Sequence, residues 1–210
     1  MPSISLYIND RARSGNKVDV SALVSAMNYF HPLPIGCEAF FSAHVLPLKV
    51  PRKTIILREG ELCDYIFFIQ KGAIRGFTRE GRAEITTWIT VENELVTSIA
   101  GLHERAVSAE FIQTIEDCEL LALPVAHLER MYSLFPDINI TIRKLLQRYY
   151  WDAEQRAFIA RLTKAERKYR QFLLGHQHLA NRIPLKYIAS YLGMTMETLS
   201  RIRKKLSEKV

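Results

Sequence analysis

Short apolar stretches separated by turn-forming residues dominate the chain between about residue 45 and residue 124. Stretches of this length that are rich in β-branched and aromatic residues are typical of β-strands. Six of them predict strands, at 54–57, 65–69, 73–78, 83–90, 110–114 and 118–123. The polar segment Arg79-Glu80-Gly81-Arg82 predicts a hairpin turn between the third and the fourth. This spacing of strands predicts a compact antiparallel β-barrel or roll.

The pattern changes to helical spacing after about residue 125, and Pro136-Asp137 opens a long segment that extends to about residue 162. Apolar residues recur there at intervals of three and four, as in the seam of a coiled coil. This seam consists of Ile142, Leu146, Tyr150, Ala153, Ala157 and Ala160. Its later members are small, which lets a second helix come close. The seam predicts either burial against the β-roll or pairing of two chains.

The end of the chain predicts two short amphipathic helices that meet at Gly193, with Pro184 opening the first. Their apolar stripes are formed by Ile188 and Leu192 in the first helix and by Leu199 and Ile202 in the second. Ala189 allows close approach of the helices, Gly193 can adopt a positive φ, and Thr195 can cap the second helix. This spacing predicts a helix-turn-helix whose second helix enters the DNA major groove. An αα-hairpin with a solvated basic face is the alternative.

Charge is distributed unevenly along the chain. Residues 163–210 contain 11 Lys and Arg against 3 Asp and Glu, whereas residues 1–162 contain 18 against 19. The positive charge of the protein therefore lies in its last quarter, as expected for a polyanion-binding domain joined to a neutral one. A DNA site read by a helix-turn-helix has two-fold symmetry. This symmetry favours the interpretation that the helical seam pairs two chains in a homodimer.

Domain boundaries follow from these changes in pattern. Thr163-Lys164-Ala165-Glu166 has the spacing of a capping box, so we expect a helix to begin there and a hinge at 160–163. The expected parts are a polar N-terminal extension at 1–24, a β-roll at 25–135, a dimerisation helix at 136–162 and a DNA-binding domain at 163–210. The fold class is thus α+β, and we expect a frayed start at residues 1–20.

Composition narrows the classes of protein that remain. The chain has 210 residues and 48% hydrophobic residues, without an apolar run of the roughly 18 residues that cross a membrane. No secretory signal is visible. Three scattered cysteines predict a cytoplasmic protein without a disulfide framework, and no spacing of Cys and His indicates a metal site. We expect neither a cofactor nor a membrane partner.

A β-roll, a long helix and a C-terminal helix-turn-helix, in this order, resemble the CRP/FNR family of bacterial transcription regulators. The resemblance covers about residues 25–206 and is carried by 58–61, 65–72 and 183–206. Residues 186–193 look like members from the Bacteroidetes. The resemblance to the CRP/FNR family implies a homodimeric regulator that binds double-stranded DNA and a small-molecule effector. RNA polymerase is a further candidate partner. The wing that usually follows the family's recognition helix is not expected here.

The resemblance also implies which residues read DNA. The family has a Glu and an Arg four residues apart that contact base edges, and these positions are Glu197 and Arg201 here. Residues at this spacing share a helix face, and a carboxylate and a guanidinium suit cytosine and guanine respectively. The family often has an arginine where this chain has Met196, next to these base readers. Expected phosphate contacts are Lys186, Thr195, Thr198, Ser200, Arg203 and Lys204.

The effector pocket departs from the cyclic-nucleotide-binding pattern of the family. Thr97 occupies the position of the glutamate that holds the ribose, followed by Ser98. Ser108, Ala109 and Glu110 occupy the segment where an arginine would neutralise the phosphate. A phosphate buried without a cationic partner costs several kcal/mol, so we expect an effector other than cyclic AMP.

Other functions remain as alternatives. The roll can act as a structural platform, with no ligand at all. Iron–sulfur and haem sensors of the family need cysteine clusters or axial ligands that this chain does not show. An enzyme on a cupin-like roll would need clustered metal ligands, yet no two histidines fall within ten residues of each other in the roll, so we expect no enzyme.

Overall fold

The computed structural model of the chain describes residue 4 and residues 17–208. The expected frayed start at 1–20 lies largely outside these described residues. Two compact units divide the chain: residues 1–76 with 90–148, and residues 77–89 with 149–210. The first contains most of the β-roll, and the second contains a β-hairpin segment together with the C-terminal helices.

In residues 17–45, two helices precede the β-roll. Helix α1 spans Ser21–Phe30 and helix α2 spans Cys37–His44. Their inward faces bury residues such as Leu23, Met27 and Phe41. Helix α1 begins at Ser21, so residues 21–24, expected in the N-terminal extension, form its first turn. The reason is the apolar spacing of Leu23 and Met27, four residues apart on one face.

Within residues 17–208, eight strands form the roll: β1 (Leu46–Val50), β2 (Ile55–Leu57), β3 (Tyr65–Lys71), β4 (Ile74–Glu80), β5 (Ala83–Thr90), β6 (Leu95–Val96), β7 (Phe111–Thr114) and β8 (Cys118–Pro124). They make two four-stranded sheets, with the orders β1-β8-β3-β6 and β2-β7-β4-β5. The strand pairs β1–β8, β2–β7, β3–β6 and β3–β8 are all antiparallel. The predicted roll is confirmed, and β1 and the two-residue β6 are the two strands that periodicity did not predict.

Side chains of β3 and β8 supply much of the roll's core. Phe67 pairs with Ala122 and Phe68 with Leu121, and all four are almost completely buried. Because both faces of these strands are covered, they have continuous apolar runs rather than alternation. In β8 this run covers residues 120–123, whereas Glu119 on the same strand is exposed.

Three helices follow or interrupt the strands. Helix α3 (Ile99–Glu104) lies between β6 and β7, and helix α4 (Ala126–Leu134) follows β8. The long helix α5 spans Ile138–Arg161, close to the expected 136–162. It continues from the first unit into the second.

The second unit contains helix α6 (Ala165–His176), a 3₁₀ turn at Gln177–Leu179, helix α7 (Leu185–Tyr191) and helix α8 (Met196–Ser207). Helix α6 begins as expected near residue 165, but the predicted capping box is wrong. The N-cap is Lys164 and no side chain caps the helix. The carboxylate of Glu166 bonds to Arg170 and Lys205 instead of reaching back to the helix start.

Candidate nucleic-acid interface and effector pocket

Helices α7 and α8 pack around a small apolar centre. Ile188, Ala189, Leu192 and Leu199 are each no more than 2% exposed, as the sequence pattern predicted. The backbone turns at Gly193, where φ is +62°, the left-handed region that glycine adopts without strain. This geometry is that of a helix-turn-helix. In this motif the helix after the turn packs through its inner face, and its outer face stays exposed.

Thr195 caps α8, as predicted. Its hydroxyl oxygen accepts a hydrogen bond from the backbone N–H of Thr198 at 3.2 Å, and the Thr195 backbone is extended. The two threonine hydroxyls are also bonded to each other at 3.2 Å. A capped helix end fixes the first turn, which is the part of a recognition helix that meets base edges.

The outer face of α8 carries the proposed DNA contacts. Met196, Glu197, Ser200, Arg201 and Lys204 are all exposed. The Glu197 pKa is lowered by hydrogen bonds from its own backbone and from Thr195, and by the charge of Arg201. Its carboxylate is therefore ionised near neutral pH and can only accept hydrogen bonds. Such an acceptor suits the amino group of cytosine.

Arg201 and Lys186 extend the basic character of this face. One Nη of Arg201 lies 3.5 Å from the hydroxyl of Thr198, so the guanidinium is held over the first turn of α8. Lys186 is exposed on α7, with its Nζ 4.7 Å from the ring centroid of Tyr187. Both cations lie where a polyanion could approach them.

Arg203, expected to contact a phosphate, has a different set of partners. Its Nη1 donates to the carbonyl of Ala180 at 3.1 Å, and its Nη2 donates to the side-chain oxygen of Asn181 at 2.8 Å. The side chain is half-buried. It therefore ties α8 to the loop that precedes α7, a role that spacing along one helix could not reveal.

The residues of the expected effector pocket use their hydroxyls inside the protein. The Thr97 hydroxyl donates to the carbonyl of Tyr65 at 3.1 Å and lies 3.6 Å from the Cys63 sulfur. The Ser108 hydroxyl donates to the carbonyl of Glu110 at 2.8 Å, and Ser108 is 1% exposed. These hydroxyls are thus occupied by backbone partners.

The other expected pocket residues differ from one another in their exposure to solvent. Ser98 is 4% exposed and precedes α3, Glu110 is half-buried, and Ala109 is exposed. Arg105 lies near this segment, but one of its Nη atoms is 2.8 Å from an Asp64 carboxylate oxygen. An arginine already paired with a carboxylate is less available to neutralise a phosphate.

A buried arginine in β4 was missed by the sequence analysis. Arg75 is 2% exposed, and its Nε and Nη2 both donate to the side-chain oxygen of Gln113, at 3.0 and 2.7 Å. Gln113 in turn donates to the carbonyl of Lys53 at 3.3 Å. The only sequence signal is an arginine within an apolar strand segment that includes Ile74 and Phe77.

The predicted seam of α5 is largely exposed. Leu146 is 52% exposed and Tyr150 is 68% exposed, while Ala157 and Ala160 are also exposed. Ile142 and Ala153 are half-buried. Trp151 and Phe158 add further exposed apolar area on the same helix. Most of this stripe is therefore not used to cover the roll within one chain.

The described part of the chain contains neither a metal-binding cluster nor a membrane-spanning helix. No group of three or more His, Cys, Asp and Glu among those residues could hold a metal ion. None of their helices is long and apolar enough to cross a membrane. The three cysteines are free and buried, and burial raises the pKa of Cys118 to about 12.

Comparison with known families identifies the class of domain first. Residues 47–134, which extend from β1 to the end of α4, match the family model of the cyclic nucleotide-binding domain. This segment of the chain is therefore similar to that domain. No curated protein matches the chain in sequence.

Solved structures then identify the fold of the whole. FixK2 from Bradyrhizobium japonicum matches with a TM-score of 0.70 at 17% identity, covering 79% of this chain and 85% of its own. The cyclic di-GMP responsive regulator CLP from Xanthomonas campestris gives 0.66 at 19%, covering 82% and 91%. A transcriptional regulator of the CRP/FNR family from Eubacterium rectale gives 0.65 at 16%, covering 84% and 85%. The chain has the fold of the CRP/FNR regulators, as its sequence predicted.

Proposed function

We propose that this protein is a homodimeric, sequence-specific DNA-binding transcription regulator whose β-roll senses a small molecule other than cyclic AMP. The observation that carries this proposal is the arrangement of Glu197 and Arg201. Both are exposed, one turn apart, on the first half of a capped helix that follows the turn at Gly193. The net positive charge of residues 163–210 supplies the attraction to phosphate that any DNA-binding surface needs.

The exposed seam of α5 supports the dimer. Large apolar side chains such as Leu146 and Tyr150 lie open to solvent along one helix, and the exposed alanines Ala157 and Ala160 follow them. Pairing two copies of α5 would remove this surface from water, which stabilises association by about 25 cal/mol for each Å² of apolar area buried. A two-fold dimer would also present two recognition helices to an inverted repeat.

The chemistry of the pocket supports an effector other than cyclic AMP. Thr97 and Ser108 hold their hydroxyls on backbone carbonyls, and Arg105 is paired with Asp64. A cyclic phosphate would have to separate Arg105 from Asp64 to gain this cation. The structural neighbour from Xanthomonas is responsive to cyclic di-GMP, so this larger nucleotide belongs in any effector screen.

A ligand-independent regulator is the second candidate, with the roll acting only as a platform. The same occupied hydroxyls favour it, because a satisfied pocket needs no ligand to complete its hydrogen bonds. A screen of nucleotides and metabolite extract by thermal unfolding separates the two candidates. A ligand that binds only the folded state raises the melting temperature, whereas a platform shows no shift.

The proposal of DNA recognition is tested by selecting bound sequences from a random duplex pool with the purified full chain. We expect an inverted repeat whose half-sites are centred about one DNA turn, roughly 34 Å, apart. Selection that returns no motif, together with a monomer in light scattering at micromolar concentration, would contradict it. Repeating the selection with metabolite extract shows whether an effector alters affinity.

A further inference from the structure

The hairpin formed by β4 and β5 shares a compact unit with the helix-turn-helix, and one serine side chain joins them. The Ser190 hydroxyl on α7 accepts a hydrogen bond from the backbone N–H of Thr86 at 2.9 Å. It also donates to the backbone carbonyl of Glu84 at 2.9 Å. The partners are more than one hundred residues away along the chain.

The geometry of β5 explains why these two backbone groups are available. β5 is the last strand of the sheet ordered β2-β7-β4-β5, so one of its edges has no neighbouring strand in the described chain. Residues two apart on a strand direct their backbone groups toward the same edge. The hydroxyl of Ser190 thus takes the place of a missing strand at residues 84 and 86. Thr86 is 3% exposed, and a buried amide without a partner would cost free energy.

Ser190 is also bonded to the turn of the helix-turn-helix. Its backbone carbonyl accepts a hydrogen bond from the N–H of Gly193 at 3.1 Å, and the neighbouring carbonyl of Ala189 accepts from Met194 at 3.0 Å. Gly193 and Met194 lead directly to Thr195, the cap of α8. One residue therefore bonds the hairpin through its side chain and the turn before the recognition helix through its backbone.

We propose that Ser190 is a positioning residue for DNA binding: it fixes the helix-turn-helix on the β4–β5 hairpin and so sets in advance where α8 is held. This inference rests on the proposed function. β4 begins in the roll's sheet, and its end belongs to the hairpin that Ser190 holds. A recognition helix held in advance loses less conformational freedom on binding. The gain in DNA affinity is largest where the two copies of α8 in a dimer must fit two half-sites at a fixed spacing.

Two variants and one control isolate this role. Ser190→Ala removes both hydrogen bonds, and Ser190→Thr restores a hydroxyl at the same position. Ser133→Ala is the matched control, because the Ser133 hydroxyl bonds to the carbonyl of Glu129 within its own helix. Circular dichroism shows first that all three variants keep their helices.

Hydrogen exchange tests the contact without DNA. We expect the Thr86 amide to exchange roughly tenfold faster in Ser190→Ala than in the wild type, about the effect of one lost hydrogen bond. Ser133→Ala should leave this rate unchanged, and Ser190→Thr should recover most of the protection. An unchanged rate in Ser190→Ala would show that the contact does not form in solution and would overturn the proposal.

DNA binding tests the positioning role, with two probes: the inverted repeat that the wild type selects, and a duplex with one half-site. Ser190→Ala should weaken binding to the inverted repeat by at least about fivefold, the lower end of typical coupling between sites, and leave half-site binding within about twofold. Ser190→Thr should restore the wild-type affinity.

The opposite results are also informative. Equal weakening on both probes, no weakening on either, or tighter binding by Ser190→Ala would each overturn the positioning role. If the wild type selects no motif at all, the proposed function fails and the positioning role fails with it. The Thr86 exchange rate then still decides whether Ser190 holds the hairpin.

Discussion

Glu166 and Lys205 join the first turn of α6 to the last turn of α8. The Lys205 Nζ lies 2.8 Å from one Glu166 carboxylate oxygen, and Arg170 donates to the other oxygen at 3.0 Å. The hydrogen bond from Lys205, followed by that from Arg170, lowers the Glu166 pKa from 4.5 to about 2. Helix α8 is thereby fastened at its C-terminal end, away from the turn that Thr195 caps.

This pairing predicts a pH dependence of stability. Because the Glu166 pKa is lowered on folding, its stabilising effect is complete above about pH 4.5 and is lost as pH falls toward 2. Between about pH 5 and about pH 3, the free energy of unfolding should therefore fall less in Glu166→Gln than in the wild type. Urea unfolding followed by circular dichroism measures it, with the exposed Glu154→Gln as control. Parallel curves for the wild type and Glu166→Gln would contradict the prediction.

Lys204 and Arg203 are neighbours that should respond differently to alanine substitution. Lys204 is exposed, so Lys204→Ala should weaken binding to all DNA sequences about equally and reduce the slope of log affinity against log salt by about 1. Arg203 is bonded to Ala180 and Asn181, so Arg203→Ala should lower the melting temperature in addition to weakening DNA binding.

Fluorescence anisotropy at several salt concentrations measures these slopes, and calorimetry measures the melting temperatures. Lys71→Ala, an exposed lysine at the end of β3, is the control for a general charge effect. Equal losses of stability in Lys204→Ala and Arg203→Ala would show that the contacts of Arg203 contribute little.

Glu197 and Arg201 should determine the sequence that is read. Arg201→Ala should cost roughly 1–3 kcal/mol at one guanine position in each half-site and relax the preference there. Glu197→Ala should broaden tolerance at a neighbouring base pair, because an ionised carboxylate rejects bases that offer only acceptors. Selection from a random pool with each variant measures both effects. If both variants return the wild-type motif at lower affinity, these residues only shape the helix surface.

Cyclic AMP should not stabilise the protein. A ligand at one hundred times its dissociation constant contributes about 2.7 kcal/mol, which would shift the melting temperature by several degrees. With Thr97 and Ser108 bonded to backbone carbonyls, we expect no such shift at millimolar cyclic AMP. A clear shift that disappears in Arg105→Ala would show that Arg105 leaves Asp64 to bind the phosphate.

The α5 seam should determine the oligomeric state. Tyr150→Glu and Ala157→Glu each place a charge on an exposed part of the seam, so either should convert a dimer into a monomer at micromolar concentration. Gln147→Glu, on the same helix, is the matched control. Analytical ultracentrifugation distinguishes the states. Dimers in all three variants would place the interface elsewhere.

Sequence periodicity predicted the elements that depend on local pattern. The helix-turn-helix was predictable because its glycine, its cap and its apolar stripe fall within a few residues of one another. The hairpin was predictable for the same reason, and β5 has the bounds expected from alternation and turn residues. Local spacing carries this information because neighbours in sequence also become neighbours in space.

Contacts between distant segments could not be predicted in this way. The capping box at Thr163 was wrong because Lys205, 39 residues beyond Glu166, attracts its carboxylate. The bond between Arg75 and Gln113 joins residues 38 positions apart, and Ser190 reaches Glu84 over 106. Such pairs depend on the fold as a whole, and one sequence contains no periodic signal for them.

Position 72 of the roll accepts glycine and no larger residue. Its φ is +106°, and an added Cβ would lie 2.6 Å from the Cys118 sulfur and 2.9 Å from the Asp117 carbonyl oxygen. Gly81 at the hairpin turn also has a positive φ, yet nothing lies within 4 Å of its missing Cβ. An asparagine can therefore replace Gly81 at modest cost, whereas any redesign or divergence of this protein must retain glycine at position 72.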